Sequence, residues 1–192
     1  MTGEDPRQRL LDRAVDHVST HGIGDLSLRA LAAELGTSHR MLIHHFGSKD
    51  GLWVAIVREV EDRQREALAE LGSHEPTTLA EALRNWWAHI SDPEMWPSER
   101  LFFELYGRGL QGIAPASDLL DDAVESWVAP AAARAIDLGV DPERADAFAR
   151  LGVAVSRGLL LDLLATSDRT AVDDAMELWI ELNESMIEPG TG

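Results

Sequence analysis

A chain of 192 residues, 45% apolar and 27% charged, can bury a sizeable core and is neither a disordered acidic tail nor a bilayer-spanning segment, for which ~20 consecutive apolar residues are needed. The absence of Cys removes disulfides, thiolate metal sites and Cys nucleophiles together. A net charge of −17 argues against nucleic acid for the chain as a whole, yet residues 1–52 hold six basic and seven acidic side chains and five of the seven His, so the acid lies almost wholly in the remainder.

That asymmetry points to different partners for the two parts. The N-terminus, MTGEDPRQR, has no apolar leader-like run, so the expected location is cytoplasmic, with no membrane partner. Leu10, Leu11, Ala14, Val15 and Val18 recur at helical spacing behind Pro6, predicting a first helix that stops at Gly22-Ile23-Gly24. Ser27 can cap a second, with Leu28, Leu31, Ala32 and Leu35 on one face and Gly36 at its end. Thr37 or Ser38 caps a short third helix to about Phe46; a fourth runs from Lys49 to about Leu71 and ends at Gly72. Thr77 or Thr78 opens a fifth, which Asp92-Pro93 stops. The spacing then predicts helices over about 98–110, 117–138 with a kink at Pro130, 141–165 behind the Asp141-Pro142 start signal, and 170–187, leaving the last five residues disordered. No run alternates with period two over a strand length, so the fold class is all-α with about nine helices.

The second helix, the turn at Gly36 and the third helix read as a helix-turn-helix. Leu28, Leu31, Leu35, Leu42 and Phe46 can pack on the first helix, which turns Thr37, Ser38, His39, Arg40, Met41 and His44 outward at the end that would enter a major groove. Helix starts at Ser27, Ser38 and Lys49 offer free N–H groups to phosphates. An ordinary helical corner would have the same outline.

The whole segment is more specific than its geometry. SLRALAAELGTSHRMLIHHFGSKDGL, preceded by the LLDRAV helix, resembles the DNA-binding head of the TetR family of transcriptional regulators, whose mark is a His-box followed by Gly-Ser-Lys; here it reads His44-His45-Phe46-Gly47-Ser48-Lys49. The resemblance implies phosphate roles for Ser27, Thr37 and Lys49 and base-edge roles among Ser38, His39, Arg40, Met41 and His44, with His45 packed rather than in contact with DNA. Two departures stand out: Arg40 where a small residue is common, and Ile43 where a phosphate-contacting Tyr is common. RGLLLDLLATSD, residues 157–168, and the helix behind it are similar to the family's dimerising pair, which implies a homodimer through Arg157, Leu160, Leu161, Leu164 and Trp179.

Other signals have plainer readings. Gly107-Arg-Gly109-Leu-Gln-Gly112 fits GxGxxG but lacks the strand that a dinucleotide site requires. His17 and His21 share a helical face without an evident third ligand, so no metal is expected and His21 reads as a helix C-cap. The acid pairs Asp121-Asp122 and Asp173-Asp174 have no nucleophile or Gly-rich loop beside them, so no catalytic set and no cofactor are expected. Six Trp is high usage for this length. Trp86, Trp87, Trp96, Phe103, Tyr106 and Trp127, with the polar His89 and Arg108, read either as core or as the wall of a site for an apolar or aromatic effector.

The expectation is therefore an operator-binding homodimeric repressor, not an enzyme, with a DNA-binding part at 1–50 and a ligand-binding and dimerisation part at 51–192. A small molecule would release it from a palindromic double-stranded operator. A helical protein-protein adaptor with a vestigial helix-turn-helix is the alternative.

Overall fold

The computed structural model describes residues 5–21, 27–73, 78–121 and 123–187, with the backbone alone for 67–73 and 185–187. The expected stop at Gly22-Ile23-Gly24, the alternative cap Thr77 and the last five residues lie outside the described residues. Within them the fold is all-α. The order is α1 (Pro6–His21), α2 (Leu28–Glu34), α3 (His39–Phe46), α4 (Lys49–Ser73), α5 (Leu79–Ile90), α6 (Trp96–Leu110), α7 (Glu125–Asp137), α8 (Ala145–Thr166) and α9 (Arg169–Ile187), with 3₁₀ turns at Pro93–Met95 and Ala116–Leu119.

The chain forms two compact units, residues 1–64 with 93–121 and residues 65–92 with 122–192. Packing thus draws α6 and the Ala116–Leu119 turn into the unit that holds α1 to α3.

The first unit has one core. Leu10, Leu11, Val15 and Val18 of α1, Leu31 of α2, Leu42 and Phe46 of α3, Leu52, Ile56 and Val60 of α4 and Leu101, Phe102 and Leu105 of α6 are buried together. Helices of seven and eight residues do not hold by themselves, so α2 and α3 depend on this shared burial. Around it, Arg63 of α4 bonds Asp12 of α1 at 2.6 Å and Glu59 at 2.9 Å, and Gln64 donates to the buried Glu99 at 2.6 Å.

In the second unit Leu79, Val128, Ala132, Ala135, Val140, Ala145 and Ala149 join α5, α7 and α8. Val172, Met176 and Ile180, spaced by four, form the buried face of α9. The Trp87 indole N–H donates to Asp173 at 2.7 Å; Asp173 also accepts from Arg169 at 2.8 Å, and Arg169 donates to the Ser91 carbonyl at 2.8 Å, tying α5 to the start of α9. Trp179 lies over Gly152 and stacks with Phe148, so it packs within its own subunit.

Several boundaries depart from the sequence reading. α4 continues through Gly72 to Ser73. The helix expected over 117–138 is a 3₁₀ turn and, separately, α7, because Ala116 and Leu119 are buried against α6 instead of continuing a helix. α8 begins at Ala145: Asp141 accepts from the Glu143 N–H and its carbonyl from the Arg144 N–H, which closes a turn first. α9 begins one residue early, with Asp168 accepting from the Ala171 N–H in the manner of an N-cap. Gly107 and Gly109 are helical residues of α6 with no strand before them.

Candidate nucleic-acid interface

α2 starts where Ser27 Oγ accepts from the Ala30 N–H at 3.2 Å, and ends in a Schellman pair, Thr37 N–H to the Ala32 carbonyl at 2.8 Å and Gly36 N–H to that of Ala33 at 3.0 Å. Gly36 takes φ +56°, the left-handed conformation that this closure requires and that a side chain would strain. α3 then starts at once, with Ser38 Oγ accepting from the Met41 N–H at 3.2 Å. Both caps and the turn residue are local sequence signals, and they fix the direction in which α3 leaves the turn.

Rotation about the α3 axis is fixed by Leu42, fully buried, and Phe46, whose ring also lies under the Arg7 guanidinium. These two sit one turn apart on the inner face. What remains outward is Ser38, His39, Arg40, Met41, Ile43 and His44, all exposed; Thr37 and His45 are half-buried, the His45 ring lying between those of His44 and Phe46. An eight-residue helix is about 12 Å long, short enough to place its first turn on base edges while its ends meet the sugar-phosphate backbone. Arg40 can offer a bidentate fork to guanine, and Ser38, His39 and His44 can donate or accept.

α4 restarts the chain immediately after. Ser48 Oγ accepts from the Gly51 N–H at 2.9 Å, leaving the exposed Lys49 at the positive end of a 25-residue helix, its ammonium above the Trp53 ring. Gly51 is required by packing, since a Cβ there would lie 2.2 Å from the Phe46 carbonyl oxygen. Asp50 is held from α6 by Arg108 in two bonds of 3.0 and 2.8 Å. Neither Gly51 nor the Asp50–Arg108 pair was among the residues singled out from sequence. The first looks like any helical Gly, and the second joins positions 58 apart.

The eight residues assigned to an effector divide evenly between the two units. In the first, Trp96 lies under the Arg100 guanidinium, Phe103 and Tyr106 pack on the core, and Arg108 is engaged with Asp50. In the second, Trp87 is buried and bonded to Asp173, whereas Trp86 lies 5.3 Å from the Trp127 ring and 6.0 Å from that of His89. Among the described residues the buried His89 Nε2 has no hydrogen-bond partner, a cost of ~1–3 kcal/mol that an added acceptor or donor would recover. The Arg65 guanidinium covers Trp127.

Of the residues assigned to dimerisation, Leu161 is 52% exposed and Leu164 half-buried. Leu160 is buried in the subunit's own core, and Arg157 donates to the Ala123 carbonyl. Exposed Leu151, Ala154, Gly158, Leu161 and Ala165 make one stripe along α8; Ala171, Ala175 and Leu178 make another on α9. Among the described residues no helix is long and apolar enough to cross a membrane.

Residues 10–56 match the family model described as bacterial regulatory proteins, tetR family. The chain is 36% identical over 89 residues to the HTH-type transcriptional regulatory protein RaaS of Mycobacterium tuberculosis, covering 46% of this chain and 38% of that one. It is 34% identical over 97 residues to the HTH-type transcriptional repressor AcnR of Corynebacterium glutamicum, covering 50% and 47%. These matches thus span half or less of the curated relatives. A solved TetR-family member from Streptomyces coelicolor superposes with a TM-score of 0.62 at 27% identity, over 93% of this chain and 98% of that one. The matched head, the curated relatives and the shared all-α fold make this chain similar to the TetR family of bacterial regulatory proteins, with the family model itself resting on residues 10–56.

Proposed function

We propose that the chain is a homodimeric transcriptional regulator, a repressor that acts in the cytoplasm on a palindromic double-stranded operator and is released by a small molecule. The observation that carries this reading is α3: capped at Ser38 and locked by Leu42 and Phe46, it turns Ser38, His39, Arg40, Met41 and His44 to solvent as one surface. Thr37 and Ser27 flank that surface, and Lys49 supplies charge at the start of α4. Two such heads would read half-sites ~34–36 Å apart in successive major grooves.

The exposed leucines of α8 and α9 support the dimer, since a lone subunit would leave Leu151, Leu161 and Leu178 more than half exposed. The tilted Trp86–Trp127 pair and the His89 Nε2, unpartnered among the described residues, support an aromatic effector bearing one hydrogen-bonding group. Moving the protein from mostly bound to mostly released takes ~5.5 kcal/mol of differential affinity between the two forms. Catalysis has no part in this reading.

Mobility shift with the intergenic DNA upstream of the coding sequence, alongside light scattering, tests it. A specific shift by a dimer, reversed by an aromatic compound that quenches Trp fluorescence, is expected. A dimer that shifts specific and random DNA alike would favour the adaptor.

A further inference from the structure

Asp50 stands beside the Lys49 assigned to phosphate. A carboxylate there suits the helix N-terminus but repels DNA, so beside a phosphate it calls for a partner that offsets its charge. The partner is Arg108 in the last turn of α6. The bonds are a matched fork, Nη1 to Oδ1 at 3.0 Å and Nη2 to Oδ2 at 2.8 Å, with each side chain about 30% exposed.

The Arg108 end of the fork is firmly based. Leu101, Phe102 and Leu105 of α6 are buried in the same core as Leu42 and Leu52, and the Arg58 guanidinium of α4 bonds the Asp118 carbonyl at 2.9 Å just beyond α6. The hydrogen bond that Arg108 donates to Asp50, with Glu104 nearby, holds the Arg108 pKa above its ordinary value. The Asp50 end is anchored inward by Leu52 and Trp53 in the same core, while Asp50 itself lies on the outer side of the turn, about 30% exposed, where Arg108 meets it. The first turn of α4 follows the Gly47-Ser48 turn and is closed by the Ser48 cap on Gly51.

We propose that Arg108 is a positioning residue for the phosphate-facing end of α4: its grip on Asp50 makes α6 part of the DNA-reading head and sets where Lys49 and the free N–H groups meet the backbone of the duplex. The inference rests on the DNA-binding reading above. It assigns Arg108 to the head rather than to an effector, and it extends the head past the matched residues 10–56.

A merely electrostatic role, in which Arg108 only neutralises Asp50, makes a different forecast. Arg108→Gln leaves the carboxylate bare and weakens DNA binding under either account. Adding Asp50→Asn restores the parent's net charge, so binding returns if charge alone matters and stays weak if the grip matters. We expect the Arg108→Gln/Asp50→Asn double variant to stay about tenfold weaker than the parent for its selected operator, the scale of one charge-assisted hydrogen bond, with Arg108→Lys in between. Melting temperature and dimer content should match the parent.

Amide exchange at Gly51, Leu52 and Trp53 reads the grip without DNA and should quicken in the double variant. Parent-like affinity in that variant overturns the proposal, as does unchanged exchange at those three amides. A parent that selects no DNA fails the DNA-binding reading instead, and the exchange result then still decides whether the grip orders this turn.

Discussion

The head and the second unit each present solvent with a face of different chemical character. α2 and α3 are too short to persist alone, so Leu28, Leu31, Leu42 and Phe46 go inward, and the outward face at α3 carries Ser38, His39, Arg40 and His44, with Met41 and Ile43 between them. α8 and α9 run to 22 and 19 residues and leave leucines uncovered. A polar outward face suits a hydrated, charged partner, whereas an apolar one suits a second copy of the same face. The contrast teaches that outward residues are chosen by their partner, and that each surface can be broken without the other.

The largest break should come from the second unit. Leu161→Glu with Leu178→Glu replaces two of the exposed leucines by charges while leaving the buried Leu163 and Ile180 in place. Monomers with unchanged helical content are expected, with operator affinity reduced ~10²-fold or more because the two heads no longer share one binding event. A dimer by light scattering would show that this stripe is not the interface.

Leu42→Ala acts from the other side of the comparison. It empties a fully buried position between α3 and the rest of the head, at ~2–5 kcal/mol, and should loosen α3 while the dimer persists. Thermal unfolding followed with amide exchange in residues 38–46 checks it. Equal protection in variant and parent would mean that α3 does not depend on this contact.

A gentler change is Lys49→Gln, which removes one exposed cation from the start of α4. Affinity should fall alike for all operators, and the slope of log K against log[salt] should lessen by ~0.9 for each head, or ~1.8 for the dimer. An unaltered slope would take Lys49 off the phosphate.

The smallest effect concerns acid stability. Arg84 holds Glu177 through hydrogen bonds from Nε and Nη2, and that bonding puts the Glu177 carboxyl below its ordinary value of 4.5. A depressed folded-state pKa contributes stability above the unfolded value and loses it as pH falls through the folded one. The pair is exposed, so the loss below pH 4.5 should be under ~1 kcal/mol, and Glu177→Gln should flatten that part of the acid limb. Parallel acid limbs in the two proteins would leave the pair without measurable weight.

What was legible in the sequence followed from local chemistry. Ser27 caps its helix as the spacing predicts, Ser38 and Thr78 cap theirs as one of two neighbouring candidates in each case, and Gly36 has the positive φ that its turn needs. Long-range packing was not legible. The 117–138 stretch has helical spacing throughout, yet Ala116 and Leu119 gain more by burial against α6 than by extending a helix. The aromatic stripe could not be apportioned between core and ligand: Trp87 is buried and faces Asp173 across the unit, whereas its neighbour Trp86 lies against the Trp127 and His89 rings. Arg108 could not be paired either, because nothing in the order of residues marks Asp50 as its neighbour.

The central claim is that the outward face of α3 reads a DNA sequence, and selection from a random duplex pool by the parent chain and by Arg40→Ala tests it most directly. The account predicts that the parent enriches a palindrome whose half-sites lie about one helical turn, ~10–10.5 bp, or a multiple of it apart. Arg40→Ala should keep the spacing while relaxing the preference at one position per half-site by ~1–3 kcal/mol. A parent that enriches no sequence, or a variant with an identical preference at every position, would contradict it.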